Sequence, residues 1–344
     1  MSNKYNITCV FEDGATTHFH TSAIETVYSA ALRSGLTLET DCREGACGVC
    51  KAFLADGQCD IGDVSDEALT EDEQEEGFLL ACQARARSDM VLEFAYPLSM
   101  LKKEVAVIDA RISELEPVAD NVMRLVLESD ADTPVFLAGQ YVNMTVPGRV
   151  PARSYSFANA PGDNEKMEFF VRLLPEGAMS DWLRDHAKVG DSLQVQGSYG
   201  QFFLRPPRAG RVVMVAGGTG LAPMLSMLAQ LKASGNPMPQ VTLLYGANFA
   251  GELFGQERIA EYGDSVTLHR VVVNGEDGWQ GQTGFVTDLL ADGLLDDAAS
   301  TDAYLCGPPP MIDAAREKLL ALGVPSARIF AEKFLPATSV EGAA

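Results

Sequence analysis

The stretch DCREGACGVC contains the densest group of reactive side chains in this sequence. Its three cysteines, Cys42, Cys47 and Cys50, are separated by four and then two residues. A four-coordinate metal centre needs one more ligand, and Cys59 and Cys82 are the downstream candidates. Zinc sites usually use two C-x2-C pairs, whereas this region has one. Spacing of x4 and x2 with a distant fourth cysteine is instead the plant-type [2Fe–2S] pattern.

Glycines and a cation in the same stretch favour the iron–sulfur interpretation. Gly45 and Gly48 permit φ > 0, so the loop can turn backbone N–H groups towards anionic sulfur. Arg43 would place positive charge nearby, which raises the cluster potential. Structural zinc and free thiols remain the alternatives. We expect a [2Fe–2S] cluster on four ligands: Cys42, Cys47, Cys50 and Cys82.

Two glycine- and proline-rich turns point to a dinucleotide. VVMVAGGTGLAPMLSML (212–228) predicts a strand, a glycine turn and a helix, which would present free N–H groups to a pyrophosphate. A glycine cluster alone is weak evidence, and this one is not G-x-G-x-x-G. A second motif, YLCGPPPM (304–311), ends a strand at Cys306 and Gly307 and lets prolines fix the turn into a helix. The pair therefore predicts a nucleotide site.

Two further motifs lie upstream of these turns. In RSYS (153–156), Arg153 offers a forked phosphate donor, Tyr155 a flat face for stacking and Ser156 a hydroxyl. EGAMSDWL (176–183) opens a helix whose first N–H groups make a second anion site. Each feature alone fits ordinary packing, but their order beside two dinucleotide turns favours a flavin.

Three segments that differ in their pattern of predicted strands and helices must position these groups. Residues 1–98 predict a hairpin, a helix ended by Gly35, the cysteine loop, an acidic helix and a return strand. Residues 105–205 predict a small antiparallel barrel with one helix near 178–187. Residues 210–335 alternate strands and helices, including one helix over 284–293, and predict a doubly wound parallel sheet. We expect a linker at 99–104 and a disordered tail at 337–344.

Composition limits the class of protein. The 344 residues, 47% apolar and 22% charged, are typical of a soluble globular chain of two or three domains. The N-terminus lacks a signal-peptide pattern and no apolar run is long enough to span a membrane, so we expect a cytoplasmic protein without a membrane partner. The net charge of −22 argues against nucleic acid. We expect a monomer.

Acidic residues are concentrated in the first segment. Residues 1–98 hold 6 Lys+Arg against 18 Asp+Glu, a net charge of −12. DVSDEALTEDEQEEG (63–77) contributes eight acids and no base. The stretch is either a solvated helix that keeps the domain soluble or an acidic face that steers a partner protein.

The motifs resemble two known families. Residues 1–98 look like a plant-type ferredoxin domain, an α+β β-grasp fold. RSYS, GAMS, GGTGLAP and CGPPPM resemble the ferredoxin–NADP reductase superfamily over about 105–335. That resemblance implies an antiparallel β-barrel flavin domain and an α/β doubly wound parallel-sheet nucleotide domain.

The reductase resemblance also implies roles for individual residues. Arg153 and Ser180 would contact the flavin pyrophosphate, Tyr155 would lie against the isoalloxazine, and Ser156 would lie near its reactive nitrogen. The implied catalytic residues are Tyr155, Ser156, Cys306 beside the nicotinamide, and Glu332 and Phe334 near the flavin ring. The implied cofactor-binding residues are Arg153, Ser154, Tyr155, Ser156, Gly177, Met179, Ser180, Gly217, Gly218, Thr219, Gly220, Cys306, Gly307 and Pro308.

Over its full length the chain resembles the reductase components of bacterial multicomponent oxygenases. The resemblance implies that electrons pass from NADH to FAD, to the cluster and then to an oxygenase protein. NADH is expected because YGANFAGELF (245–254) has no Arg or Lys for a 2′-phosphate before Arg258. LPEGAMSDWLRDHAKVG and EKFLP favour a soluble di-iron monooxygenase as partner, and FEDG and DCREGACG fit a Rieske-type benzoate or toluate dioxygenase about as well. A zinc-stapled adaptor and a stand-alone diaphorase are further hypotheses.

Overall fold

The computed structural model describes residues 4–101, 105–130, 133–146, 148, 150–162, 166–206, 210–275, 278–291 and 293–335. These residues form two compact units. The first lies within Met1–Ala106 and takes in Tyr199–Gln201; the second lies within Val107–Ser198 and Phe202–Ala344. Residues 102–104 of the predicted linker and the whole predicted tail lie outside the described residues. The three predicted domain boundaries stay a prediction.

The first unit is a mixed sheet with a helix against it. Its elements are β1 Lys4–Phe11, β2 Thr16–Ser22, α1 Val27–Arg33, β3 Lys51–Asp56, β4 Cys59–Asp60, α2 Glu71–Glu75, β5 Phe78–Leu80, β6 Arg85–Ala86 and β7 Met90–Phe94. Five strands pair in the order β2-β1-β7-β3-β5, with β1 and β7 parallel and the other neighbours antiparallel. The hairpin and the helix before Gly35 are confirmed, and the cysteine loop connects α1 to β3.

The acidic stretch forms a shorter helix than the sequence predicts. α2 covers only five residues and begins with a capping box between Thr70 and Glu73. Acidic side chains continue to its C-terminal end, where they oppose the helix dipole, and Gly77 follows with φ +99°. Glu73 also pairs with Lys51 at 2.7 Å. At least one of the eight acids therefore stabilises the fold locally.

The second unit begins with a six-stranded antiparallel barrel. Its elements are β8 Ala106–Ala119, β9 Val122–Glu128, β10 Tyr141–Val146, β11 Val150–Ser156, β12 Lys166–Arg172, α3 Ala178–Asp185 and β13 Ser192–Tyr199. The strand order is β11-β10-β13-β8-β9-β12. Just after the end of β11, Ala158 N donates to Glu168 O of β12 at 2.8 Å, which brings the two edge strands together. The predicted barrel and its helix are confirmed.

A parallel sheet completes the second unit. Its elements are β14 Arg211–Gly217, α4 Leu221–Ala233, β15 Gln240–Ala247, α5 Gln256–Ala260, β16 Val266–Val272, β17 Gln282–Thr283, β18 Asp302–Gly307, α6 Pro309–Ala321 and β19 Ile329–Lys333. The order β17-β16-β15-β14-β18-β19 is parallel throughout. After β14 the chain adds β15, β16 and β17 on one side of that strand. It then crosses to the other side of β14 and adds β18 and β19. The carboxyl ends of β14 and β18 thus form the switch point where such sheets bind ligands.

Helix α4 is buried on nearly every side. It packs in one apolar core with residues of β14, β15 and the barrel. Ser226, near its middle, donates its hydroxyl to Asn159 O at 2.7 Å. This two-sided burial explains why its sequence is apolar all round. Among the described residues, no helix is both long and apolar enough to cross a bilayer.

One predicted helix is wrong. The described residues of 284–293 contain only a short 3-10 turn, at Val286–Leu289. The β-branched side chains of Val286 and Thr287 are poor helix formers and both are buried. Val286 also packs tightly against β15, because a Cβ built on Gly246 would lie only 2.7 Å from the Val286 Cβ. Packing against the sheet therefore overrides the helical pattern here.

Candidate functional site

The four predicted cysteine ligands lie together as two pairs. The Cys47 thiol donates to the Cys42 sulfur, which lowers the pKa of Cys42 to about 5 and raises that of Cys47. The Cys50 thiol likewise donates to the Cys82 sulfur, which lowers the pKa of Cys82 and raises that of Cys50. The structure therefore brings the distant fourth cysteine to the three-cysteine loop.

The paired arrangement suits two irons better than one ion. Within the described part of the chain, no group of three or more His, Cys, Asp or Glu side chains is placed to hold a single metal ion. A [2Fe–2S] cluster takes two thiolates on each iron, so two pairs are what it requires. Cys59, the other candidate, lies on β4 and has no part in either pair.

Backbone N–H groups point at these sulfurs, as the two glycines predicted. Gly45 and Gly48 have φ of +79° and +74°. Glu44 N donates to the Cys42 sulfur at 3.4 Å, and Gly45 N donates to the Cys82 sulfur. N–H donors stabilise thiolate, so the loop fits an anionic cluster.

The Gln83 side chain joins the cysteine loop to the fourth cysteine. Its Nε2 donates to Arg43 O at 3.1 Å. Sequence reasoning noted this residue only as the neighbour of Cys82. A polar side chain directly after a ligand was the available signal, but its partner 40 positions earlier appears only in the fold.

The two predicted nucleotide turns contact each other at the switch point of the parallel sheet. Thr219 lies in the middle of a 3-10 turn over Gly218–Gly220 that follows β14. A Cβ on Gly220 would lie 2.2 Å from Cys306 O, so the turn after β14 rests directly on the end of β18. A Cβ on Gly218 would meet nothing within 4 Å. Open space in front of Gly218 is the cradle that a pyrophosphate requires.

Ser156, Glu332 and Cys306 meet in the second unit. Glu332 on β19 is the register partner of Cys306 on β18. The Ser156 hydroxyl, at the end of barrel strand β11, hydrogen-bonds to the Glu332 carboxyl. Burial raises the pKa of Glu332 to about 8, and the Ser156 hydrogen bond opposes that rise. Burial and the nearby Glu332 raise the pKa of the Cys306 thiol well above its usual value.

Glu332 carries an unsatisfied acceptor. Its Oε2 is buried and has no hydrogen-bond partner among the described residues. A buried carboxyl oxygen without a partner is costly unless a ligand group supplies one. The ring edge of a flavin carries N–H groups and polar atoms, so this orphaned oxygen fits a bound flavin.

The residues at the ends of β18 and β19 contact each other next to this site. Phe334 N donates to Gly307 O at 2.9 Å, which holds the two strand ends together. Pro308 is the N-cap residue of α6, and Pro309 occupies its first position. Glu332 and Phe334, which the reductase resemblance places near the flavin ring, therefore lie beside the CGPPP turn.

The remaining RSYS residues lie along β11. Arg153 is half-buried and its Nη1 donates to Ala152 O at 2.8 Å. Ser154 Oγ donates to Asn143 Oδ1 of β10 at 2.7 Å. Tyr155 packs against the barrel core, and burial raises the pKa of its hydroxyl. Tyr155 is therefore a neutral, partly buried ring, as a stacking surface requires.

The GAMS residues divide into backbone and core roles. Gly177 caps α3, whose first turn closes when Asp181 N donates to Gly177 O. The Met179 side chain is buried in the barrel core. Ser180 Oγ accepts from Leu174 N at 2.9 Å, so it fixes the loop before the helix. The side chains of Met179 and Ser180 therefore make contacts within the fold. What this segment can offer a phosphate is chiefly its backbone N–H groups.

Sequence reasoning missed a buried arginine in the second unit. The Arg205 guanidinium lies 4.0 Å from the ring centroids of both Phe203 and Phe330. Its backbone N donates to the Tyr304 hydroxyl of β18 at 3.0 Å. Phe330 is two residues before Glu332, so this stack fixes the strand that carries the buried carboxyl.

Three family models match the chain in order. They are the 2Fe-2S iron-sulfur cluster binding domain at residues 10–87, the oxidoreductase FAD-binding domain at 109–204 and the oxidoreductase NAD-binding domain at 214–317. The first match contains the four paired cysteines, the second contains Ser156, and the third contains the turn after β14 and Cys306, while Glu332 and Phe334 lie beyond it.

Several relatives match nearly the whole chain. The chain is 37% identical to the toluate 1,2-dioxygenase electron transfer component of Pseudomonas putida, over 94% of this chain and 96% of that protein. It is 36% identical to the phenol 2-monooxygenase reductase component DmpP of Pseudomonas sp. (strain CF600), over 93% and 91%. A crystal structure of an Amycolatopsis cytochrome P450 reductase superposes with a TM-score of 0.72 at 29% identity, covering 96% of this chain and all of that one.

Proposed function

Since the chain belongs to the family of electron-transfer reductase components of oxygenases, we propose that it passes electrons from NADH to the oxygenase of a soluble di-iron monooxygenase. One observation carries the electron-transfer role: two thiol pairs and a Ser156–Glu332–Cys306 site occur on one chain. When bound, FAD accepts a hydride from NADH and releases electrons singly, and the cluster carries one electron at a time.

Within this proposal the chain's residues hold and orient the cofactors. Cys42, Cys47, Cys50 and Cys82 hold the cluster. Arg153 and the α3 N-terminus would hold the flavin pyrophosphate, and Tyr155 would lie against the flavin ring. Ser156 and Glu332 would bind the edge of that ring, where the unpaired Glu332 oxygen is available for a hydrogen bond. The remaining proposed cofactor contacts are Ser154, Gly177, Met179, Ser180, Gly307, Pro308 and Phe334.

The nucleotide is held by the turn after β14. N–H groups at Gly217–Gly220 face its pyrophosphate, and the buried, protonated Cys306 lies beside the nicotinamide. Ser156, Glu332 and Phe334 surround the same place from the barrel and from β19. With both cofactors bound, these residues would hold the two rings at one place and would exclude water from it.

We propose NADH rather than NADPH as the donor. Arg258 is the first cation after β15, and its guanidinium is engaged by Glu168 at 2.6 Å and by Ala158 O at 2.9 Å. The loop before it instead holds a carboxylate, Glu252, which accepts from Asn248 N at 3.1 Å. A negative charge there disfavours a 2′-phosphate.

Purified protein tests the redox function. We expect bound FAD and iron–sulfur absorption that bleaches when NADH is added, with kcat/KM for NADH at least tenfold above that for NADPH. A colourless, zinc-containing protein would contradict the function. A higher kcat/KM with NADPH would contradict only the assignment of the loop after β15.

A Rieske-type aromatic dioxygenase is the second candidate partner. The observation that favours it is the 37% identity to the toluate dioxygenase component, against 36% to the phenol monooxygenase component. Neighbouring genes distinguish the two: a helical subunit with two Glu-x-x-His motifs supports di-iron, and a subunit with C-x-H and C-x2-H supports Rieske. Co-purification of either oxygenase would also exclude a stand-alone diaphorase. That the chain is a cytoplasmic monomer stays a prediction.

A further inference from the structure

Gln83 connects the two parts of the chain that supply cysteine ligands. Arg43 follows Cys42 in the loop, and Gln83 follows Cys82. The amide Nε2 of Gln83 donates to Arg43 O at 3.1 Å. This bond ties the three-cysteine loop to the fourth cysteine across 40 positions of sequence.

Close packing confines the Gln83 side chain to this place. A Cβ on Gly45 would lie 3.1 Å from Gln83 Cγ and 2.4 Å from Asp63 O. A Cβ on Gly62 would lie 2.7 Å from Gln83 O and 3.2 Å from Gln83 Cβ. Gly45 therefore packs on the middle of the Gln83 side chain and Gly62 on its backbone and Cβ, so closely that only glycine fits at either position.

The Arg43 carbonyl belongs to a peptide unit that contacts a sulfur ligand. The N–H of the same unit, Glu44 N, donates to the Cys42 sulfur at 3.4 Å, so the bond from Gln83 fixes the orientation of this donor. A donor at a cluster sulfur stabilises the reduced cluster more than the oxidised one, because reduction adds negative charge.

We propose that Gln83 is a positioning residue for the cluster: its amide holds the Arg43 carbonyl so that the Glu44 N–H of the same peptide unit faces the Cys42 sulfur and reduction is favoured. The inference rests on the proposed function, since it requires a cluster between the four cysteines. It adds a determinant of the cluster potential that lies outside the cysteine motif itself.

Replacing the amide tests this role in the full-length holoprotein. Gln83→Met keeps the length of the side chain but removes the hydrogen bond to Arg43 O, and Gln83→Glu replaces the donor with an acceptor. In an anaerobic redox titration followed by cluster absorbance and EPR, we expect the ratio of reduced to oxidised cluster at a fixed potential to fall about 3- to 10-fold in Gln83→Met. A tenfold fall is about 59 mV for a one-electron couple. Gln83→Glu should shift further in the same direction.

Gln74→Met is the matched control. Gln74 lies in the same unit and donates its Nε2 to the Leu69 carbonyl at 3.2 Å. Loss of the Gln74 hydrogen bond should leave the cluster potential and the EPR signal at wild-type values. Cluster absorbance should also decay at least twofold faster under a chelator in Gln83→Met than in Gln74→Met.

The outcomes separate the two proposals. A wild-type protein without cluster absorption would contradict the proposed function itself. A normal wild-type cluster with an unchanged potential in Gln83→Met, or an equal shift in Gln74→Met, would overturn the role of Gln83 alone. Should Gln83→Met fail to retain its cluster, the potential of Gln83→Glu decides: a wild-type value there overturns the proposal.

Discussion

At the scale of single residues, Glu332 is a carboxyl group buried away from water. Burial raises its pKa to about 8, against about 4.3 for glutamate in an unfolded chain. Between these pH values the folded protein keeps a proton that the unfolded chain has released. The free energy of unfolding of flavin-free protein therefore falls as pH rises from about 4.3 to 8, by at most about 1.4 kcal/mol per pH unit. We expect Glu332→Gln to remove this fall.

Urea unfolding between pH 5 and 9 measures the effect. Both tryptophans, Trp182 and Trp279, lie in the second unit, so their fluorescence reports its unfolding. Glu317→Gln, at an exposed glutamate on α6, is the control and should keep the wild-type profile. Parallel wild-type and Glu332→Gln profiles would show that the carboxyl is ionised across this range.

At the scale of elements, the turn after β14 needs glycine at two positions for different reasons. Gly220→Ala would push a methyl group against Cys306 O and separate the end of β14 from that of β18. We expect it to lower the free energy of unfolding by about 1–3 kcal/mol. The methyl group added by Gly218→Ala would face open space. Its cost of about 1–2 kcal/mol in the free energy of unfolding comes from the backbone φ of +56°. There the methyl group would occupy the pyrophosphate cradle.

Urea unfolding and NADH titration together separate these roles. Gly218→Ala should fold and keep its flavin while the KM for NADH rises at least tenfold. Gly148→Ala, at another glycine with positive φ and open surroundings, should share the backbone cost but keep the wild-type KM. Normal NADH kinetics in Gly218→Ala would place the pyrophosphate elsewhere.

At the scale of the whole molecule, the chain divides its chemistry between two compact units. The four paired cysteines lie in the first, and the residues proposed to bind flavin and nucleotide lie in the second. Cys82→Ser should therefore abolish the cluster absorption and lower electron transfer to the oxygenase at least 100-fold. NADH-dependent reduction of ferricyanide should stay within about twofold of wild type, because a small acceptor can take electrons from the flavin.

Cys59→Ser controls for loss of a thiol. Cys59 lies on β4 in the same unit, outside both thiol pairs, so its replacement should leave cluster and transfer intact. An equal loss of ferricyanide reduction in Cys82→Ser would mean that the second unit depends on the cluster to fold or to bind flavin.

The sequence alone determined the chemistry and most of the elements. Cysteine spacing, the GGTGLAP and CGPPP turns and the alternation of strands and helices are local patterns, and local patterns are set by neighbouring residues. Prediction was wrong at 284–293, where packing on the sheet replaced a helix by a 3-10 turn. It also missed α5 and β17, which are too short to show a period.

Only the tertiary structure decided which distant groups meet. It arranged four thiols as two pairs, placed the Ser156 hydroxyl of the barrel on the Glu332 carboxyl of the parallel sheet, and put the Gln83 amide on the Arg43 carbonyl. Burial then raised the pKa of Glu332 and left one of its oxygens without a protein partner. Spacing along the chain specifies which groups are available, but distance and solvent exposure, which set pKa and hydrogen bonding, exist only once the chain has folded.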